Sequence, residues 1–65
     1  MNLQEAKEKV SPLEGKEVTV RLRREKRSLS GVLKLYRHFF RISGNLTESF
    51  AYADLITGEA EVQEK

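Results

Sequence analysis

The stretch KEVTVRLRREKRSLSGVLKLYRHFFRI, residues 16–42, decides how this chain folds. Glu17 to Arg23 alternates, with Val18, Val20 and Leu22 on one side and Thr19, Arg21 and Arg23 on the other. A period of two is the mark of an antiparallel strand with one face on a core and one in water. Arg24-Glu25-Lys26-Arg27 then predicts a hairpin tip. A second strand, Ser28 to Tyr36, sets Leu29, Gly31, Leu33 and Leu35 against Ser30, Val32, Lys34 and Tyr36. Gly31 within it predicts a bulge or sharp bend, a device that lets a small sheet curl. A bulge would reverse the facing on one side of it, so the facing of Leu29 stays open. Arg37-His38 is a short connection, and Phe39 to Ser43 a third strand with Phe40 and Ile42 inward.

The flanks support this centre. Asn2 suits a helix N-cap, and Glu5 three residues on approximates a capping box. Leu3, Ala6 and Val10 then share a helical stripe, which predicts a helix over about 3–10 docked on the sheet. Ser11-Pro12 ends it, because a residue before proline disfavours the α region. Leu13 to Lys16 is a turn. On the far side, Gly44-Asn45 marks a second hairpin. Glu48 to Ala53 is a fourth strand, with Phe50 in the core and Tyr52 partly buried, its hydroxyl at the rim. Ala53 to Thr57 is one helical turn, in which Asp54 caps through its own side chain and Leu55-Ile56 face the core. Gly58 releases it, and Glu59 to Gln63 is a short closing strand carrying Val62. The predicted fold is mostly β: a small five-stranded SH3-like or Sm-like barrel with a short N-terminal α-helix and one helical turn before the last strand. It forms a single domain over 1–65, with the helix at about 3–10 and the barrel at about 16–63. An OB-fold usually needs more residues for its five strands.

Sixty-five residues bury little of their unfolded surface, about 60%. The chain has no cysteine and a single histidine, so disulfides, cysteine–zinc sites and histidine metal clusters are excluded. Self-association is the remaining way to add buried surface. No apolar run approaches the roughly 20 residues needed to span a bilayer. Met1 to Glu5 lacks the basic and apolar regions of a signal peptide, so a soluble, cytoplasmic protein is expected. The net charge of +2 is unevenly spread. Lys16 to Arg41 carries nine basic and two acidic residues, and the remainder three basic and eight acidic ones. A cationic segment of this kind favours an anionic partner, and equally head-to-tail self-association.

Catalysis is not expected, and neither is a cofactor or metal. Covalent catalysis needs a serine or cysteine beside a base, and His38 is a lone turn residue. No glycine-rich phosphate loop and no nucleophile elbow is present. Binding is the better reading. Arg21, Arg23, Lys34 and Arg41 project from outward strand positions, and Arg24, Lys26 and Arg27 extend them at the tip. Neighbouring strands about 4.8 Å apart would join these into one patch. Its guanidinium and ammonium groups suit phosphates, with Tyr36 and Phe39 placed to stack on an unpaired base. The expected partner is thus nucleic acid, DNA or RNA. A second reading is a protein-interaction module that regulates by binding another regulatory protein, with Tyr36, Phe39, Phe50 and Tyr52 lining a peptide groove. An edge strand pairing with a second copy of the chain belongs to the same reading.

One segment resembles a known family. Ser49-Phe50-Ala51-Tyr52-Ala53-Asp54-Leu55-Ile56-Thr57 is similar to the Ser-aromatic-Ser-Tyr-Ala-Asp-apolar-Leu-Thr run of the Veg proteins, small proteins of low-GC Gram-positive bacteria. Ser30-Gly31-Val32-Leu33, then Tyr36 and Phe40, resembles the family's Ser-Gly-Ile-Leu and its downstream Tyr and Phe. Gly15-Lys16 before Thr19-Val20-Arg21 also fits, as does the N-terminal helix. The chain departs from the pattern in three places. Gly31 to Tyr36 is about a residue shorter, Arg37 stands where a proline usually follows the tyrosine, and the last strand is less hydrophobic. The resemblance implies an SH3-like or Sm-like barrel and a regulatory role, associated with stimulating biofilm formation through transcriptional control. It carries over no catalytic residue.

Overall fold

The computed structural model describes residues 2–65. Its elements are α1 (Leu3–Val10), a 3-10 turn (Ser11–Leu13), β1 (Glu17–Leu22), β2 (Arg27–Leu35), β3 (Phe39–Ser43), β4 (Thr47–Ala51), α2 (Tyr52–Thr57) and β5 (Ala60–Glu64). The strands form one antiparallel sheet in the order β4-β3-β2-β1-β5. β4 and β5 are its edges and do not pair with each other, so the sheet stays open between them. α2 carries the chain from one edge to the other.

β2 sets the curvature. Its first part pairs with β1, from Leu22↔Arg27 to Glu17↔Val32. Its last part pairs with β3, from Val32↔Ser43 to Leu35↔Phe40. The predicted bulge at Gly31 is absent: the register runs through it without an extra residue, and Leu29, Gly31, Leu33 and Leu35 keep one face. The glycine serves a close approach instead. A Cβ on Gly31 would lie 2.5 Å from the Ser43 carbonyl oxygen and 2.8 Å from the Ile42 side chain. The start of the β3–β4 turn crosses tightly over β2 at this point.

The curled face holds the core: Val18, Val20, Leu22, Leu33, Phe40, Ile42, Tyr52 and Ala60, with Val10 from α1. Leu29, Leu35, Phe50, Leu55 and Val62 pack around them. Phe50 lies on one edge strand and Val62 on the other, so both edges share one apolar cluster.

Several local expectations need correction. α1 forms as predicted, with Asn2 Oδ1 accepting the Glu5 N–H at 2.8 Å. It packs against α2, however, and buries Ala6 and Val10 while Leu3 stays 58% exposed. Ser11 remains right-handed helical in spite of Pro12. Proline suits the start of a new turn, where its missing N–H costs nothing, and the helix tightens to 3-10 form there. α2 begins at Tyr52, so β4 ends two residues sooner than predicted. Asp54 does not cap it; Ala51 holds the N-cap position without a side-chain bond. Ile56 faces solvent, because a helix this short turns only one side inward, and Leu55 takes that side. Gly58 ends α2 in the left-handed conformation, φ 84°.

Tyr52 is buried rather than partly exposed, with 1% of its surface accessible. Placing it at the first position of α2 aims its ring at Phe40, 5.8 Å between centroids. Its hydroxyl donates to the Tyr36 carbonyl across the sheet, which satisfies the one polar atom the burial would strand.

Candidate nucleic-acid interface

The nine residues singled out as contacts do not form one patch. Cross-strand register places Arg21 opposite Ser28 at one end of β2, and Arg41 opposite Lys34 at the other. Ser28 and Lys34 are six positions apart on β2, roughly 20 Å along an extended strand. A continuous patch would need β1 and β3 to flank the same part of β2, whereas each pairs with a different part of it.

The first group surrounds the β1–β2 turn. Arg21, Arg23, Lys26 and Arg27, with Ser28 and Glu61, line an open concavity of about 520 Å³. The turn is held by Arg23, whose N–H donates to the Glu59 carbonyl at 2.8 Å. Lys26 closes it with a φ of 52°, a left-handed conformation that a lysine seldom adopts. Arg24 opens on a separate hollow with Phe50, Asp54 and Glu59, and its guanidinium lies 3.5 Å from the Glu59 carboxylate.

Arg27 is also engaged by other parts of the protein, although its side chain stays exposed. It shares the inward parity of Leu29 and Leu33, opposite Leu22 on β1. From there its Nη2 donates to both carboxylate oxygens of Glu48 at 3.1 Å, and its Nε to Glu25 at 3.1 Å. These hydrogen bonds, to Glu48 first and then to Glu25, hold its pKa above the ordinary arginine value. Glu48 comes from edge strand β4, so the pair ties that edge to the hairpin.

The second group lies around the β2–β3 turn. The Tyr36 N–H donates to the Phe39 carbonyl at 2.9 Å, closing a loop of Arg37 and His38. The two rings stack at 4.8 Å and 16°. The Arg41 guanidinium lies 5.1 Å from the Tyr36 centroid and 5.9 Å from that of Phe39. An arginine held this way gains a cation–π attraction. The Arg41 Nε is shut off from solvent with no hydrogen-bond partner among the described residues. Lys34 beside it is exposed. The Tyr52 hydroxyl bond to the Tyr36 carbonyl fixes the backbone beneath this stack.

The uneven charge seen along the sequence is partly cancelled in space. Lys16 meets Glu64 at 3.4 Å and Lys65 meets Glu17 at 3.7 Å, in addition to the pairs of Arg24 and Arg27. The acidic C-terminal part folds back along β1. Among the described residues, Arg21, Arg23, Lys26, Lys34, Arg37 and Arg41 enter no ion pair. Arg37 was not singled out from the sequence, although a basic residue directly after an outward tyrosine is a usable signal. The hydroxyls of Thr19, Ser28 and Ser30 were missed as well. They occupy outward positions between the two groups, with Thr19 and Ser30 directly opposite, 3.4 Å between their oxygens.

Among the described residues, no three His, Cys, Asp or Glu side chains gather to hold a metal ion. No helix among the described residues is long and apolar enough to cross a membrane. Comparison with protein-family models, with curated proteins and with solved structures finds no match to this chain.

Proposed function

We propose that this chain is a non-enzymatic, Veg-like regulatory protein of the bacterial cytoplasm that binds nucleic acid through the outer side of its sheet. Its role is in transcriptional regulation associated with biofilm formation. The observation that carries the binding is the set of six outward or turn cations that enter no ion pair among the described residues, in a molecule that pairs its other nearby cations. Lys26 adds to it: the backbone there favours glycine or asparagine, yet the position presents an ammonium group. The identity rests on the Tyr52-Ala53-Asp54 segment and on Ser30-Gly31-Val32-Leu33. We read the curled sheet as an SH3-like or Sm-like barrel, since its two edge strands contribute Phe50 and Val62 to one core.

Fluorescence anisotropy with labelled DNA and RNA at low and moderate salt tests this. Binding should weaken steeply with salt, and changing Arg21, Arg23 and Lys26 together to glutamate should abolish it. Absence of binding to either nucleic acid at low salt overturns the proposal. A protein-interaction module is the second reading. It is favoured by the unpaired edges of β4 and β5 and by Leu46, which leaves 73% of its surface exposed beside β4. Under that reading sedimentation shows a concentration-dependent mass, or a protein co-purifies in place of nucleic acid, and Leu46→Lys removes either.

A further inference from the structure

The proposed nucleic-acid surface leaves open which form of nucleic acid it takes. Its two groups answer to different chemistry. The Arg21–Arg23–Lys26 concavity offers charge and no exposed aromatic ring, which suits phosphates of any strand. The Tyr36–Phe39–Arg41 stack offers flat surfaces at an exposed turn flanked by Lys34 and Arg37. A ring platform gains most from a base whose face is free, and bases within a duplex already stack on their neighbours.

What joins the groups is the outward side of β2. From the concavity it runs through Ser28 and Ser30, with Thr19 beside them on β1, then Val32 and Ser43, to Lys34 and Arg41. The β2 positions between the groups carry no charge and apart from Val32 are small hydroxyl residues, and Glu17, opposite Val32 on β1, has its charge met by Lys65 at 3.7 Å. Such a run offers hydrogen-bond partners to a sugar–phosphate chain without blocking it. Its roughly 20 Å corresponds to about six stacked nucleotides at ~3.4 Å each, and fewer if the strand is stretched.

We propose that this side of β2 is a track for one unpaired strand of nucleic acid. Phosphates at one end lie in the Arg21–Arg23–Lys26 concavity, and a base at the other end joins the Tyr36–Phe39 stack beside Arg41. Lys34 and Arg37 take the phosphates flanking that base. The inference rests on the nucleic-acid reading above and sharpens it to a single strand of about four to six nucleotides, within the usual span of one small β-domain. Of the nine residues first singled out, Arg24 and Arg27 drop out of the contact set, because Glu59 and Glu25–Glu48 already hold them.

The test uses the full chain with labelled single strands of about three, six and nine nucleotides, each as DNA and as RNA, beside a duplex of the same sequence. Affinity should rise from the shortest strand to the middle length and then level off. The duplex should bind at least about tenfold more weakly than the six-nucleotide strand. Tyr36→Leu keeps the apolar packing and the backbone carbonyl that Tyr52 uses. It should weaken single-strand binding about tenfold to a hundredfold, the range for losing one base stack, and leave duplex binding unchanged. Lys34→Glu, at an exposed position, should likewise weaken single-strand binding and serves if the Tyr36 variant folds poorly. Equal affinity for duplex and single strand, or Tyr36→Leu and Lys34→Glu variants that bind as the parent does, overturns the track and leaves the nucleic-acid reading standing. Failure of every oligonucleotide to bind overturns both. The DNA and RNA arms report which sugar the run of hydroxyls prefers.

Discussion

On β2 the inward positions are Arg27, Leu29, Gly31, Leu33 and Leu35, and the outward ones Ser28, Ser30, Val32 and Lys34. The two sets share a backbone and differ in how far their neighbours constrain them. Every inward position has a partner that fits: Arg27 has Glu48, Leu33 is fully buried, and Gly31 has a carbonyl where a Cβ would stand. Outward, Lys34 faces Arg41, a like charge directly opposite, which costs stability. In a domain of this size such a cost is not trivial. The contrast separates a face that holds the fold from a face that is available to a ligand.

The hardest test of that separation is Gly31→Ala. The added methyl meets the Ser43 backbone first and then the fully buried Ile42 side chain, so β2 and the β3–β4 turn must part. We expect a loss of about 1–3 kcal/mol or more by chemical denaturation, enough to unfold a large share of a marginal domain. Unchanged stability would mean that the crossing at Gly31 is looser than described and that the curvature has another source.

Tyr52→Phe is the next in size. It leaves the Tyr36 carbonyl unpaired and should cost about 1–2 kcal/mol. It also changes the response to alkali. Burial is the main cause that pushes the Tyr52 phenol above its ordinary pKa, and the negative charge of Glu14 adds to it. The unfolded chain therefore releases this proton at lower pH than the folded one. The resulting stabilisation is complete below the ordinary tyrosine value, about pH 10, and is lost as pH rises past it. Thermal melts from neutral pH to about pH 11 should show the parent losing more stability than Tyr52→Phe over the alkaline part. Parallel curves would place the hydroxyl in contact with solvent.

The smallest effect is expected at Arg27. Arg27→Met removes an exposed ion pair and should lower the melting temperature slightly, leaving nucleic-acid affinity within about twofold. A large loss of binding would move Arg27 from the inner set to the outer one and erase the contrast on which this reading rests.

Much of the inner face was legible in the residues themselves. The alternation at Val18-Val20-Leu22 and at Phe40-Ile42 requires these side chains to share one face, because a strand has a period of two. Asn2 announced α1, and Gly58 its counterpart at the end of α2, because both act through local backbone bonds. The boundary between β4 and α2 was not legible. Phe50-Ala51-Tyr52-Ala53 suits either state locally, and it is the fit of the Tyr52 ring against Phe40, with its hydroxyl on Tyr36, that favours the helix.

The outer face was legible as a list of residues and not as a surface. Sequence alone identified cations at outward strand positions and aromatics near the β2–β3 turn, since parity and composition are local. It set no distance between Arg21 and Arg41, because that depends on which part of β2 each neighbour pairs with. Nor did it show that Arg24 and Arg27 are already engaged. Apart from Glu25 beside Arg27, their carboxylates lie more than twenty positions away, on Glu59 and Glu48, and reach them only when the sheet curls. The tertiary structure decided which charges were left over, because an ion pair depends on distance in space and not on order along the chain.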